Sequence, residues 1–286
     1  DGGHVSRRPE THFKILTQLF ECRVAIAQAG KIDLSSLDQA ITKMGTIAKM
    51  WRTSNGNFTH FHGGGITNSE RIDDVVKRCG PTGKVARHAK QTGFLRLSSG
   101  RTTLIMDCAA PIKPKPENSA SLGSFEVHLA STPFIVNVGQ LSEEQLLNKA
   151  FCQTAAHTAL TLDNLDNFSW ESKKYNPVKI LQIGPAKGGM LVKLSHDGYG
   201  DSHGIIHERQ IYLTTGGGNI RGSDTLWREQ RRASLVNGSA APATRAVLRS
   251  ARVRFCHRRM GDWSQRICDV LRLCQTFVVA RHARIG

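Results

Sequence analysis

Two kinds of periodicity divide the chain. Before Phe94, apolar side chains recur every three or four positions. Phe13, Leu16, Leu19, Phe20, Val24 and Ala27 form one such face, opened by Pro9 and stopped by Gly30. A second face runs through Leu37, Ala40, Ile41, Met44, Ile47 and Met50. Asp33 or Ser35 is placed to cap it, and Asn55-Gly56 ends it. These segments predict a helix pair, followed by a shorter helix around Ile72 to Val76.

From Phe94 the period shortens to two. Phe94 to Leu97, Ser99-Gly100 and Thr102 to Asp107 predict a hairpin. Pro111, Pro114 and Pro116 mark a loop. Strand-like runs follow at Ser124 to Leu129, Pro133 to Val138, His157 to Leu162, Val178 to Ile183, Met190 to Leu194 and Ile205 to Leu213. A single short helix, near Glu143 to Phe151, interrupts them. Without long helices between the strands a parallel α/β fold is excluded, and a sandwich of antiparallel sheets is predicted. The expected class is therefore α+β. From Arg245 to Gly286 the alternation fades: this last stretch holds ten arginines, two aspartates and no lysine. It reads either as a basic ligand-binding tail or as a shifted reading frame near Phe255.

Composition narrows the partners. A net charge of +16 favours polyanions, whether nucleic acid, acidic polysaccharide or anionic membrane. No homeodomain, zinc-finger or RNP-type pattern is present, which sets a specific nucleic-acid role aside. No run reaches the roughly 18 apolar residues of a membrane span. The seven cysteines form no CxxC pair, so a disulfide framework or a four-cysteine zinc site is not expected. No signal peptide is visible, and the start at Asp1 suggests that the natural N-terminus is missing. The localisation expected is the periplasm or cytoplasm of a bacterium.

Several motifs, taken in order, resemble the heparinase II/III-like family. DGGHVSRRPETH resembles the segment that introduces the last helices of that family's α/α toroid. GFLRLSSGRTTLIMDCAAP resembles the first hairpin of its β domain. SFEVHLASTPFIVNVG, TAAHTALTLDN, HDGY and HGIIHERQIYL resemble later strands, and RGSDTL stands at a family turn. The resemblance covers about residues 1 to 255. It implies the remnant of an α/α toroid over residues 1–87, a large antiparallel β-sandwich domain over 88–255, and a basic tail over 256–286. It also implies β-elimination on an acidic, uronate-containing glycan such as a heparin-like chain or alginate, the work of a carbon–oxygen lyase.

Elimination beside a carboxylate needs its charge offset, a base for the α-proton and an acid for the leaving oxygen. The resemblance makes His157, of the TAAH motif, the first candidate. His4 of the DGGH segment, with Arg7 beside it, and His196 and Tyr199 of HDGY complete the catalytic set. Arg7, His203, His207 and Arg209 are expected to meet substrate, Arg209 by a two-pronged contact. His12 stands near the place where several family lyases carry a tyrosine. In relatives the histidine matching His157 helps hold zinc, with a histidine and an aspartate where this chain has Ser121 and Asn137. No metal and no cofactor are therefore expected. His60 and His62 in FTHFHGGG read either as a metal pair or as a loop packed on the helices. Gly63 to Gly65 and Gly216 to Gly218 lack the GK(S/T) of a phosphate loop. Three functions stay open: a lyase, a non-catalytic glycan-binding relative or gene remnant, and a nucleic-acid binder.

Overall fold

The computed structural model describes residues 1–256, apart from Lys31, 65–67, 81–84, Ala86, 111–118, 140–148, 170–177 and 229–249. For Arg228 and residues 250–256 it describes the backbone alone. The helix expected near Glu143 to Phe151 falls mostly outside the described residues. The Pro111 to Pro116 loop and the tail beyond Cys256 fall wholly outside them.

The fold is α+β: a helical region followed by two antiparallel sheets. Helix α1 spans Pro9–Ala29, with Pro9 in the first turn and Gly30 at its end. Helix α2 spans Ser35–Trp51. Its start differs from expectation, because Asp33 accepts the Ser35 N–H and hydroxyl without capping deeper donors. Helix α3 spans Ser69–Arg78 and is capped by Asn68, which accepts from the Glu70 and Arg71 amides. The apolar face of α1 is only partly covered. Phe13 and Leu16 are buried, whereas Val24 remains exposed.

Among the described residues, ten strands follow in chain order. They are β1 (His88–Ala89), β2 (Phe94–Ser99), β3 (Thr102–Asp107), β4 (Phe125–Leu129), β5 (Thr132–Ile135), β6 (Lys179–Ala186), β7 (Gly189–Tyr199), β8 (Ile205–Thr214), β9 (Asn219–Arg228) and β10 (Ser250–Cys256). Sheet one has the order β1-β2-β3-β4-β5 and sheet two the order β10-β9-β8-β7-β6. Every ladder is antiparallel.

Period-2 alternation sorts the layers. Leu95, Leu97, Leu104, Met106, Phe125 and Val127 of sheet one pack against Val192, Leu194, Ile211, Leu213 and Ile220 of sheet two. The opposite face of sheet one presents Phe94 and Ile105 to the helices, joining Phe13, Trp51 and Phe61 in a second core. All six residues of β3 are buried because it lies between both cores. Edge-on contacts of Trp51 with His12 (5.1 Å) and with Phe94 (5.3 Å) tie helix to sheet.

Three sequence expectations change. RGSDTL lies within β9, not in a turn. Ser250–Cys256 forms β10 where the alternation fades. His157 to Leu162 forms no strand; a 3-10 turn at Thr154–Ala156 leads into irregular chain. Its backbone is bonded by side chains instead of a ladder, since the Thr158 N–H goes to Asn137 and the Thr158 carbonyl to Arg209.

Candidate active site

The helix-facing side of sheet one is not purely apolar. Asp107, at the end of β3, and Glu126, on β4, both point into this seam and are fully buried. A buried carboxylate requires partners. Asp107 has the Arg7 guanidinium, the Ala109 amide at 3.1 Å and His62 Nε2 at 2.9 Å. Arg7 also donates to the carbonyls of Thr92 (2.9 Å), Ala109 (2.7 Å) and Gly93 (3.3 Å), and lies over the Phe94 ring. A Cβ at Gly93 would sit 3.3 Å from the Arg7 guanidinium and 2.2 Å from the Ala109 side chain, so glycine admits this approach.

His62 is held by the 3-10 turn Phe61–Gly63 at φ 53°, ψ 39°, a left-handed conformation costly for a side chain of its size. Arg7 adopts φ 58°. Two members of one cluster thus carry backbone strain, while Arg8 steadies the turn through the Gly63 carbonyl (2.9 Å).

His157 completes this group. Both of its ring nitrogens are shielded from solvent without a well-formed hydrogen bond, and His62 and Asp107 act on it electrostatically. Burial is the main cause that lowers its pKa to about 4, with His62 adding to the effect. Burial also lowers His62, against the pull of Asp107. Burial opposes ionisation of Asp107, yet Arg7 and His62 outweigh it and keep that carboxyl below its usual range. At neutral pH the cluster is a carboxylate–guanidinium pair beside two neutral imidazoles.

A second polar cluster closes one end of the space between the sheets. Along the inner face of β8 the side chains run from Leu213 and Ile211 to Arg209 and His207. Asp224 of β9 accepts from Arg209 Nε (2.7 Å) and Nη2 (3.0 Å) and from His207 Nε2 (2.8 Å). The Gly198 amide donates to His196 Nδ1, so His196 Nε2 carries the proton and donates to His207 Nδ1 at 2.9 Å. The Tyr199 hydroxyl donates to the Leu160 carbonyl. Burial, reinforced by His207 and Arg209, holds His196 well below its ordinary pKa. Burial raises that of Tyr199. Arg209 outweighs burial to keep the Asp224 carboxyl far down.

The sequence-predicted residues therefore occupy three places. Arg7 lies at the seam, and His157 lies within electrostatic reach of the His62 and Asp107 of that seam. His4 lies beside Arg7, half-buried and bonded to Ser6 (2.8 Å), its carbonyl accepting from the Arg7 amide. His196, Tyr199, His207 and Arg209 lie inside the sandwich. His203 sits on the one-turn helix Gly200–His203 and pairs with Asp163 (3.1 Å) at the surface. Arg7, His207 and Arg209 were expected to face substrate, but their polar groups are buried against protein partners. His12 is a core residue, donating to the Met44 carbonyl (2.9 Å). Sequence reasoning missed Asp107, Glu126 and Asp224. A lone carboxylate in an apolar strand run was the available signal.

The zinc set implied by the resemblance does not fit. The Ser121 hydroxyl faces the Ser119 carbonyl (3.5 Å), and the Asn137 amide is bonded at both ends. Among the described residues, no three His, Cys, Asp or Glu side chains gather to hold a metal ion.

A family model described as "Heparinase II/III-like, C-terminal" matches residues 81–271, about two thirds of the chain. The chain belongs to the heparinase II/III-like family. Among solved structures, heparan sulfate lyase HepC from Pedobacter heparinus aligns with TM-score 0.59 at 16% identity, over 80% of this chain and 39% of that one. The heparinase III BT4657 gene product aligns with TM-score 0.62 at 16% identity, over 81% and 39%. This heparinase II/III-like chain thus spans about 39% of the length of those structures, and the likeness is one of fold. No curated protein matches the chain.

Proposed function

We propose that this chain serves a polysaccharide lyase-like protein that cleaves an acidic, uronate-containing glycan by β-elimination, as a carbon–oxygen lyase. The observation that carries the reading is His157, whose ring nitrogens make no well-formed hydrogen bond beyond an approach to the Phe151 backbone and which lies within electrostatic reach of His62 and Asp107. A neutral imidazole can take the proton next to a uronate carboxylate, and the arriving carboxylate would raise its proton affinity. Asp107, whose carboxylate raises the proton affinity of His157, steadies the charge that forms on it. His4 stands at the rim as proton donor to the leaving oxygen. The basic balance of the chain favours an acidic polysaccharide as partner. Among the described residues no helix is long and apolar enough to cross a membrane.

The test is incubation with heparin, heparan sulfate and alginate, following the ultraviolet absorbance of the unsaturated uronate product. A rising trace that His157→Ala abolishes is expected, and a flat trace for the unaltered protein overturns the reading. A second reading, glycan binding without turnover, is favoured by the shielding of His157 and His62 from solvent. Calorimetry with the same glycans separates the two. If duplex DNA bound as tightly as an equally charged polysaccharide, the glycan preference would lose its basis.

A further inference from the structure

The mismatch with the family's zinc set has a positive counterpart in the bonds around Thr158. Asn137 Nδ2 donates to Glu126 Oε1 at 3.2 Å, and Asn137 Oδ1 accepts the Thr158 N–H at 3.1 Å. An amide offers a donor at one end and an acceptor at the other. An aspartate there would set a second carboxylate against the buried Glu126, and the pair would have to share a proton. Glu126 Oε1 also accepts from the amides of His60 (2.8 Å) and Asn137 (3.3 Å), and His128 Nε2 lies 3.2 Å from Oε2. The same carboxylate therefore anchors the loop that carries His62. A Cβ at Gly139 (φ 73°) would come within 2.5 Å of the Gly64 carbonyl, so glycine lets that loop close on the strand exit.

Thr158 is also held from its other sides. Arg209 Nη1 donates to its carbonyl and to that of Gly123 (2.8 Å). Its hydroxyl donates to the Phe125 carbonyl (2.6 Å) and accepts the Phe125 N–H (2.7 Å). The residue after His157 is thus fixed through its amide, carbonyl and hydroxyl.

We propose that Asn137 and Arg209 are positioning residues that hold the His157 segment by hydrogen bonds where the family zinc set would use a metal. The inference rests on the reading of His157 as the reacting group. It also gives the replacement a chemical sense. A metal fixes an imidazole by occupying a nitrogen lone pair, and that nitrogen can no longer take a proton. Here the backbone is fixed and the ring stays available.

The test uses the full chain and needs no turnover. Nuclear magnetic resonance reads the His157 imidazole signal and the exchange rate of the Thr158 amide. In the unaltered protein the His157 signal should stay unchanged on adding equimolar zinc. Asn137→Ala should speed Thr158 amide exchange by about tenfold, the worth of one hydrogen bond, and displace the His157 signal, while Asn137→Asp, which keeps the acceptor but sets a second carboxylate against Glu126, should displace the His157 signal as well. Arg209→Lys, which keeps the charge and loses the fork, should displace it less. Lys193→Met breaks a pair with Glu208 (2.9 Å) on neighbouring strands and should leave both readouts in place. Zinc that shifts or broadens His157 at stoichiometric amounts overturns the proposal. So does a Lys193→Met effect as large as that of Asn137→Asp. A protein that cleaves no glycan yet shows the expected shifts would reject the lyase reading alone. In an active protein, both positioning variants should lower kcat with KM held.

Discussion

The two polar clusters are built from similar residues and differ in how completely they are satisfied. Between the sheets, Asp224, Arg209, His207 and His196 form an unbroken donor–acceptor chain that ends on the Gly198 amide. At the helix–sheet seam, Arg7 is saturated, but Asp107 Oδ2 and the ring nitrogens of His62 and His157 are left without well-formed hydrogen bonds, His62 Nε2 facing Asp107 only as a close ion-pair contact at 2.9 Å. A closed network of buried polar groups stabilises and fixes a fold, while an open one retains chemical capacity at a cost in stability. The seam also holds the left-handed His62 and Arg7, whereas no residue of the inter-sheet cluster departs from ordinary backbone conformation. Under the proposed function, the difference gives support to one cluster and reactivity to the other.

The comparison can be broken in four ways, taken from the largest effect down. Asp224→Ala leaves Arg209 buried without its counter-ion, and a loss of about 3–5 kcal/mol is expected in urea unfolding. A loss below about 1 kcal/mol would remove the structural role of that cluster. His157→Ala should cut turnover by about 10²–10⁴-fold. It should shift stability by less than about 1 kcal/mol, since no good hydrogen bond is lost. His207→Ala should do the opposite, costing about 1–3 kcal/mol through the groups left unpaired. If both variants lost stability equally, the contrast would vanish.

Acid should expose the shared burial of these histidines. His12 and His157 are held at about 4, mainly by burial, against an ordinary value of 6.5. Above 6.5 neither state binds the proton and their contribution is complete. Between 6.5 and 4 the unfolded chain takes up protons that the native state refuses, so stability falls as pH falls. Asp224, kept ionised by Arg209, adds a further loss in stronger acid. A thermal midpoint that rose on mild acidification would contradict this sign. The smallest effect belongs to the partly exposed Lys193–Glu208 pair, where Lys193→Met should change stability by no more than about 1 kcal/mol.

The layers were legible because they follow from periodicity. Pro9, Gly30 and the apolar faces of the first two helices, and the alternation through Phe94 to Asp107, place those elements within a few residues. The site was legible only in part. His157 stood out through a motif, but its surroundings come from residues about 50 and 95 positions earlier, and no local pattern announces such pairings. His207 and Arg209 share a strand face as alternation requires. That face turns inward, which periodicity alone leaves open. The strand expected at His157 to Leu162 failed because side chains from distant elements take its backbone bonds.

Arg7 reaches across a hundred positions of sequence to Asp107, and Asp1 reaches the amides of Gln91 and Thr92. The first contact needs Asp107, at the end of β3, and the second needs the turn that precedes β2. Closing so long a loop is entropically slow and is rewarded only once the hairpin exists. Arg7 leaves the ribosome a hundred residues before Asp107, so the seam is completed only after β3 has been made.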